Sequence, residues 1–416
     1  MIKMKKTVWI IPLCAALFAH FSHGFSSFGV YPLISQIQGA LSLSESQIAT
    51  FAGVAGIASM VAVIPAGILC QKIGSKKVAV FGLMLSAIGL LIVALSKGYG
   101  AALVGRIIWQ FFYRVAFIGT MAITIAAVPE SFRGRAVGFN GAAASMGSII
   151  GAPAAVAISS STGSWTNAFY AFIIVAMLGA LAAGFLFKPY ESEAASPQRE
   201  TPKEAGRQKA VENQRNPFTT PLVWLMALVM LFFSSGAGII QCNSLILNGH
   251  FAVASAALGG VAVVASGVQM FGNICGLFVT PLMGVVSDKL GGFKTLMLIA
   301  VIQFALYLGM ATFSFPVFLV CCALIQFLAV CSINMVYAAA PELLKGLNVG
   351  AISGVAAFGT GLAQFIVPKL LGTIKVATGY YTIGILSVAG MAGVAFVFSL
   401  ILYRYCQKRD SRAVVA

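Results

Sequence analysis

GRIIWQFFYRVAFIGTMAITIAAVPESFRGRAVG, residues 105–138, runs from an apolar stretch into a charged turn. Arg106 and Arg114 stand inside the apolar part, and no acid follows them until Glu130. The stretch is long enough to cross a bilayer, which takes about 20 apolar residues in a helix. A charge is expensive in hydrocarbon, so Arg114 should face protein or water and is a candidate functional residue. The closing turn, PESFRGRAVG at 129–138, returns 212 positions later as PELLKGLNVG at 341–350.

Composition sets the same frame. Hydrophobic residues make up 60% of the chain and charged residues 9%, where a soluble domain has about 25% charged. The 416 residues hold about a dozen spans of about 20 residues each. Six are expected at 7–32, 47–70, 78–96, 101–127, 136–160 and 166–188. A polar segment at 189–218 reads as a linker. Six more are expected at 220–248, 255–284, 294–313, 316–340, 348–372 and 380–404. The chain therefore divides into an N-terminal bundle, 1–188, the linker, and a C-terminal bundle with a short tail, 219–416. Lys3, Lys5 and Lys6 followed by apolar residues resemble a signal peptide. The apolar run continues to Tyr31 without a clear cleavage site, so an uncleaved first span is expected.

The net charge of +16 does not point to nucleic acid, because the basic residues form no single patch. With the N-terminus inside, they fall in cytoplasmic segments, and only Lys97, Lys369 and Lys375 fall on the other side. The positive-inside rule then puts both termini and the linker in the cytoplasm, in keeping with a multi-pass protein of a bacterial inner membrane. All eight cysteines lie in or beside apolar runs, with no CxxC and no His/Cys cluster. They read as buried thiols, and no metal or cofactor is expected.

Two further matches accompany the repeated turn. Gly67 and Gly74 in GILCQKIGSKK pair with Gly284 and Gly291 in GVVSDKLGGFK, and His23-Gly24 pairs with Ser235-Gly236. Ordered matches at nearly one offset mean two homologous six-helix halves. Parallel halves of this kind place a substrate site between them, near the midplane. GILCQKIGSKK resembles the loop between the second and third helices of the major facilitator superfamily, G-x3-D-x2-G-R-[KR], with Gln71 and Ser75 departing from it. Its second copy keeps the acid as Asp288, and Gly105-Arg106 resembles the family's motif at the start of the fourth helix. The resemblance implies an all-α fold of twelve transmembrane helices in two pseudo-symmetric bundles. It implies a secondary transporter working by alternating access, with gating at Gly67, Gly74, Glu130, Arg133, Gly284, Asp288, Gly291, Glu342 and Lys345. It says little about cargo, since one fold hosts many functions.

Cargo has to be argued from polar residues inside the spans. Arg114 lies about thirteen residues below the outer face, roughly 20 Å at 1.5 Å per residue, beyond easy snorkelling. Its mate at offset 212 is Gln326. The functional reading is an anion clamp, a guanidinium holding a carboxylate or phosphate bidentately; the plain alternative is a structural arginine bonded to neighbouring helices. Arg106, eight residues away, is rotated about 80° around the helix and is assigned a structural or gating role. His20 and His23 share a face of the first helix and are candidates to carry a coupling proton, or else are hydrogen-bonded in the bundle. Tyr113, Gln241, Asn243, Gln269, Asn273, Asn334 and Tyr337 are candidate substrate contacts, each equally readable as interhelical glue.

All ten acids fall in expected loops or at helix ends. Cation carriers and many proton-driven drug exporters use an intramembrane carboxylate, so the inventory favours neutral or anionic cargo. Gly147-x3-Gly151-Ala152-Pro153 resembles an exporter motif with Ala inserted, though Gly-x3-Gly usually marks close packing. The chain has no Walker loop, no HExxH and no nucleophile elbow, so an enzyme is not expected. The leading expectation is a carrier of a small organic anion or zwitterion, carboxylate- or amino-acid-like, acting as a monomer in the bilayer. A drug or metabolite exporter and a non-transporting membrane solute sensor are the alternatives.

Overall fold

Gly74 and Gly291 each break the chain between two long helices with nearly the same backbone angles, φ +87° and ψ 142° against φ +88° and ψ 150°. Only glycine adopts such angles freely, which is why both copies of the repeat need it. A computed structural model gives the fold and describes residues 9–129, 133–188, 221–312, 314–343 and 349–415. Among them the architecture is all helical.

In the first half, α1 (Ile10–Gly29) passes through a 3-10 turn at Tyr31–Leu33 into α2 (Ile34–Ala40). Helix α3 (Glu45–Ile73) starts at a capping box, in which the Ser44 hydroxyl accepts from the Gln47 N–H and the Gln47 side chain accepts from the Ser44 N–H. That reciprocal pair satisfies two N–H groups that have no helical partner. Then come α4 (Ser75–Leu95), α5 (Tyr99–Ala126), α6 (Arg133–Thr162) and α7 (Trp165–Leu181), with a π turn at Ala182–Leu186.

The expected span 220–248 is broken in three: α8 (Pro221–Phe233), α9 (Ser235–Gln241) and α10 (Asn243–His250). α8 and α9 meet at 41°. The carbonyl of Phe233 at this bend accepts from Gln303 Nε2 at 3.5 Å and from the Ser332 hydroxyl at 3.3 Å, so side chains meet a group the bend frees from the helix. After α11 (Ala252–Ala256), positive φ at Gly259 and Gly260 delays the next helix. The expected span 255–284 is therefore displaced to α12 (Val261–Leu290). α13 (Gly292–Ala311), α14 (Phe315–Leu343), α15 (Val349–Thr378) and α16 (Thr382–Val415) complete the chain.

Nine helices among the described residues are long and apolar enough to cross a membrane, or ten if the bent pair α8–α9 is one span. Large apolar side chains such as Ile64, Phe185 and Phe278 lie exposed on the outside, as a lipid-facing surface requires. Among the described residues no disulfide joins any of the cysteines. The linker 189–218 lies outside the described residues.

Packing repeats with the sequence. A Cβ on Gly147 of α6 would run into the Phe21 carbonyl of α1, and a Cβ on Gly359 of α15 would run into the Ala227 carbonyl of α8. These positions are 212 apart, and each sits where a later helix crosses the first helix of its half. Between the halves, α3 packs along α15 and α6 along α12. In the first of these crossings, Gly53 and Gly56 sit on the backbone of Gly361, Gln364 and Phe365.

Candidate functional site

α5 supplies the centre of the N-terminal half. It packs tightly on α4, where Gly82 and Gly89 leave no room for a Cβ beside Ala116 and Trp109. That fixes which face of α5 turns toward α1. On it, Tyr113 is 1% exposed and Thr120 is buried, while Arg114 and Phe117 are half-buried.

The two histidines of α1 meet this face, their ring centroids 6.1 Å apart. His20 Nδ1 lies 2.9 Å from the Thr120 hydroxyl oxygen. That hydroxyl donates its one proton to the Phe117 carbonyl at 2.9 Å. His23 stacks on Tyr113, with centroids 4.4 Å apart and planes at 28°, and its Nδ1 has no hydrogen-bond partner. Phe117 binds the group together. Its ring is 4.4 Å from His20, 5.1 Å from His23 and 5.0 Å from the guanidinium carbon of Arg114. The structure thus brings Arg114, Tyr113, His20 and His23 together with Phe117 and Thr120.

The C-terminal half contributes amides. Gln326 Nε2 donates to Asn273 Oδ1 at 3.2 Å, and the Asn273 amide nitrogen has no partner. Gln241 is fully buried with both amide atoms unpartnered. Asn243 Oδ1 accepts from the Cys322 thiol at 3.6 Å. Gln269 donates to the Phe28 carbonyl at 3.0 Å, so its amide joins the two halves. The side chains of Asn334, Tyr337, Arg133, Asp288 and Glu342 lie outside what is described, as do residues Glu130 and Lys345. Gly67 and Gly284 lie within α3 and α12, and Gly67 has open space around it.

Arg106 stands apart. It is fully buried, its guanidinium carbon 4.3 Å from the Trp109 ring centroid and 5.5 Å from that of Phe51. None of its three side-chain nitrogens has a hydrogen-bond partner.

Sequence reading missed one group. At the end of the molecule where α3 begins, the Tyr381 hydroxyl donates to Glu45 at 3.1 Å. Lys369 donates to the Ser46 and Thr50 hydroxyls at 2.9 and 3.3 Å. The Ser244 hydroxyl donates to the Tyr31 carbonyl at 2.9 Å. Each bond crosses between the halves and helps close the molecule at this end. Glu45 and Lys369 could have flagged it, as rare charges among the expected outer segments.

Here the chain can be set beside known proteins. A family model described as Major Facilitator Superfamily matches residues 16–368. Among curated proteins, none matches the sequence. Solved structures share the fold, among them these three. A D-xylose–proton symporter has a TM-score of 0.71 at 15% identity, over 95% of this chain and 97% of its own. A bacterial homologue of the human lysosomal transporter Spinster, inward-facing and occupied, has 0.70 at 15%, over 96% and 98%. The nucleoside transporter NupG has 0.72 at 14%, over 94% and 100%.

Proposed function

Because the chain belongs to the major facilitator superfamily, a family of multi-pass membrane transporters, we propose that it moves a small organic anion or zwitterion by alternating access. The observation that carries this reading is the grouping around Arg114. A guanidinium, a hydroxyphenyl group and two imidazoles converge from α5 and α1. The C-terminal half adds buried amide donors without a hydrogen-bond partner at Asn273 and Gln241. A carboxylate or amino acid fits such a set, with the guanidinium as the charged contact and amide donors completing the site with Gln326. His20, held at the Thr120 hydroxyl, is the group assigned to carry a coupling proton.

The acid inventory supports anionic over cationic cargo. Glu45 is tied to Tyr381 at the end of the bundle, and no carboxylate falls within an expected span. The exporter reading loses its main support. Gly147 and Gly151 sit directly on the α1 backbone at Phe21 and Phe25, so close helix packing alone explains them. With the termini cytoplasmic, the Glu45 end is the outer one, and the conformation described is closed to the outside.

Transport by protein reconstituted into vesicles tests the proposal. Arg114→Gln should weaken carboxylate transport by roughly tenfold or more, as loss of a charge-assisted hydrogen bond of about 1.5–3 kcal/mol implies. Unchanged affinity and rate would remove Arg114 from the site.

A further inference from the structure

Of the chain's three histidines, two belong to the group around Arg114. The third, His250, ends α10 at the Glu45 end of the molecule. Its Nε2 accepts the backbone N–H of Tyr381 at 3.4 Å, a bond within the C-terminal half. Tyr381 stands just before α16 with its ring buried. That ring lies 5.8 Å from the imidazole, centroid to centroid, and a Cβ on Gly249 would come within 3.1 Å of it. The Tyr381 hydroxyl then donates to Glu45 of α3 at 3.1 Å, across to the N-terminal half. One imidazole therefore holds the residue that ties the halves together here.

A tie built this way depends on a proton. An unprotonated Nε2 accepts an N–H, whereas the imidazolium has two donors and no acceptor. The charged ring would also face the Lys375 ammonium, which sits 5.1 Å from the centroid of the Tyr381 ring. Burial and that same lysine hold the His250 pKa below 6.5, because both disfavour the charged form. The other groups around the ring do not reverse this. Tyr380, in the turn after α15, stacks on it with centroids 6.3 Å apart. Glu45 connects to it only through Tyr381. Lys369, earlier on α15, is turned to Ser46 and Thr50. Of the elements packed on α10, α2, α9 and α11 carry no ionisable residue, and the 3-10 turn carries Tyr31. α12 carries Cys275 in its middle and Asp288 and Lys289 at its far end, and Cys242 lies at the opposite end of α10. His250 itself is half-buried, so protons from the medium reach it.

We propose that His250 is a proton-operated catch on the Glu45 end: the neutral ring holds Tyr381 where its hydroxyl meets Glu45, and protonation releases Tyr381 and lets the halves part. His250 is a positioning residue, since it acts on the closure through Tyr381. The proposal rests on the alternating-access part of the reading above and not on the anion. Acid then shifts the protein toward the form open at this end whatever the cargo.

Spin labels on the two halves test this with no substrate present. Gly39→Cys, beside open space in the N-terminal half, and Val376→Cys, exposed in the C-terminal half, carry the labels in a full-length chain cleared of its eight native cysteines. The distance between them is measured in detergent by pulsed electron resonance. From about pH 7.5 to about pH 5.5, which brackets an ordinary histidine, the ratio of the longer-distance to the shorter-distance population should rise about fivefold, the weight of one hydrogen bond. His250→Gln, which does not titrate, should be flat over that range. Tyr381→Phe keeps the backbone N–H and loses the hydroxyl, so it should show more of the longer distance at pH about 7.5 and a weakened response to acid. A flat wild type would overturn the proposal, and so would an undiminished response in His250→Gln or in Tyr381→Phe. If the cysteine-free chain does not fold, hydrogen exchange at the Tyr381 backbone is followed in the chain with its native cysteines. Corrected for the intrinsic effect of pH, it should quicken about fivefold over the same range in wild type and not in His250→Gln; equal behaviour of the two would be contrary to the catch.

Discussion

At the scale of single residues, two glycines of α6 differ in what surrounds them. A Cβ at Gly147 would meet the Phe21 backbone, whereas one at Gly141 would meet nothing within 4 Å. Gly147→Ala should therefore lower the melting temperature, at a cost of about 1–3 kcal/mol for overpacking. Gly141→Ala should leave it unchanged or raise it, since alanine is favoured in helices by up to about 1 kcal/mol. Equal effects would contradict the α1–α6 contact. The residue scale also shows what a sequence can announce. Arg114 declares itself by depth, and His20 and His23 by their spacing of three. The bond from Gln269 to the Phe28 carbonyl does not, because it joins positions 241 apart in the chain that only the folded bundle brings together. Phe117 was equally hidden, since one phenylalanine among 31 carries no mark of contacting two histidines and an arginine.

At the scale of elements, the contact between α10 and the start of α16 carries a pH dependence. His250 accepts the Tyr381 backbone N–H at Nε2, 3.4 Å away, which a protonated ring cannot do. Burial, and then the Lys375 ammonium nearby, hold its pKa below the ordinary value of 6.5. The Tyr381 phenol is pushed up by burial and by Glu45, so it stays a donor to that carboxylate. A depressed pKa means the unfolded chain binds the proton more readily. The stabilisation is complete above pH about 6.5 and is lost as the pH falls below it toward the lowered value. The melting temperature of wild type relative to His250→Leu should thus decline between pH 7 and pH 5. A flat difference would show that His250 does not titrate in this contact. Element boundaries were largely legible, because apolar run lengths and the glycines at 74 and 291 mark them. The breaks at Ser234 and Cys242 were not. Their backbone departs only modestly from helical, φ −82° and ψ 3° at Ser234 and φ −99° and ψ 3° at Cys242, and neither needs Gly or Pro there.

At the scale of the whole molecule, the two-halves plan was readable from the repeated turn and the paired glycines, and the shared offset of Gly147 and Gly359 extends it into packing. Which end is shut was not readable, because one sequence encodes every state of an alternating cycle. Gly372 comes against the Ala49 side chain, so Ala49→Cys with Gly372→Cys, in a chain cleared of its eight native cysteines, should crosslink under oxidation and stop transport. Reduction should restore it, and transport through the crosslinked protein would contradict closure at this end as part of the cycle. The central claim, that the protein selects an anion through Arg114, is tested most directly by ligand stabilisation of the purified protein. Small carboxylates and amino acids, hydrophobic cations and neutral sugars are compared on wild type and on Arg114→Gln. The account predicts that a carboxylate or amino acid raises the melting temperature of wild type and loses most of that effect in Arg114→Gln. Stabilisation by hydrophobic cations or neutral sugars alone, or an equal effect on both proteins, would contradict it.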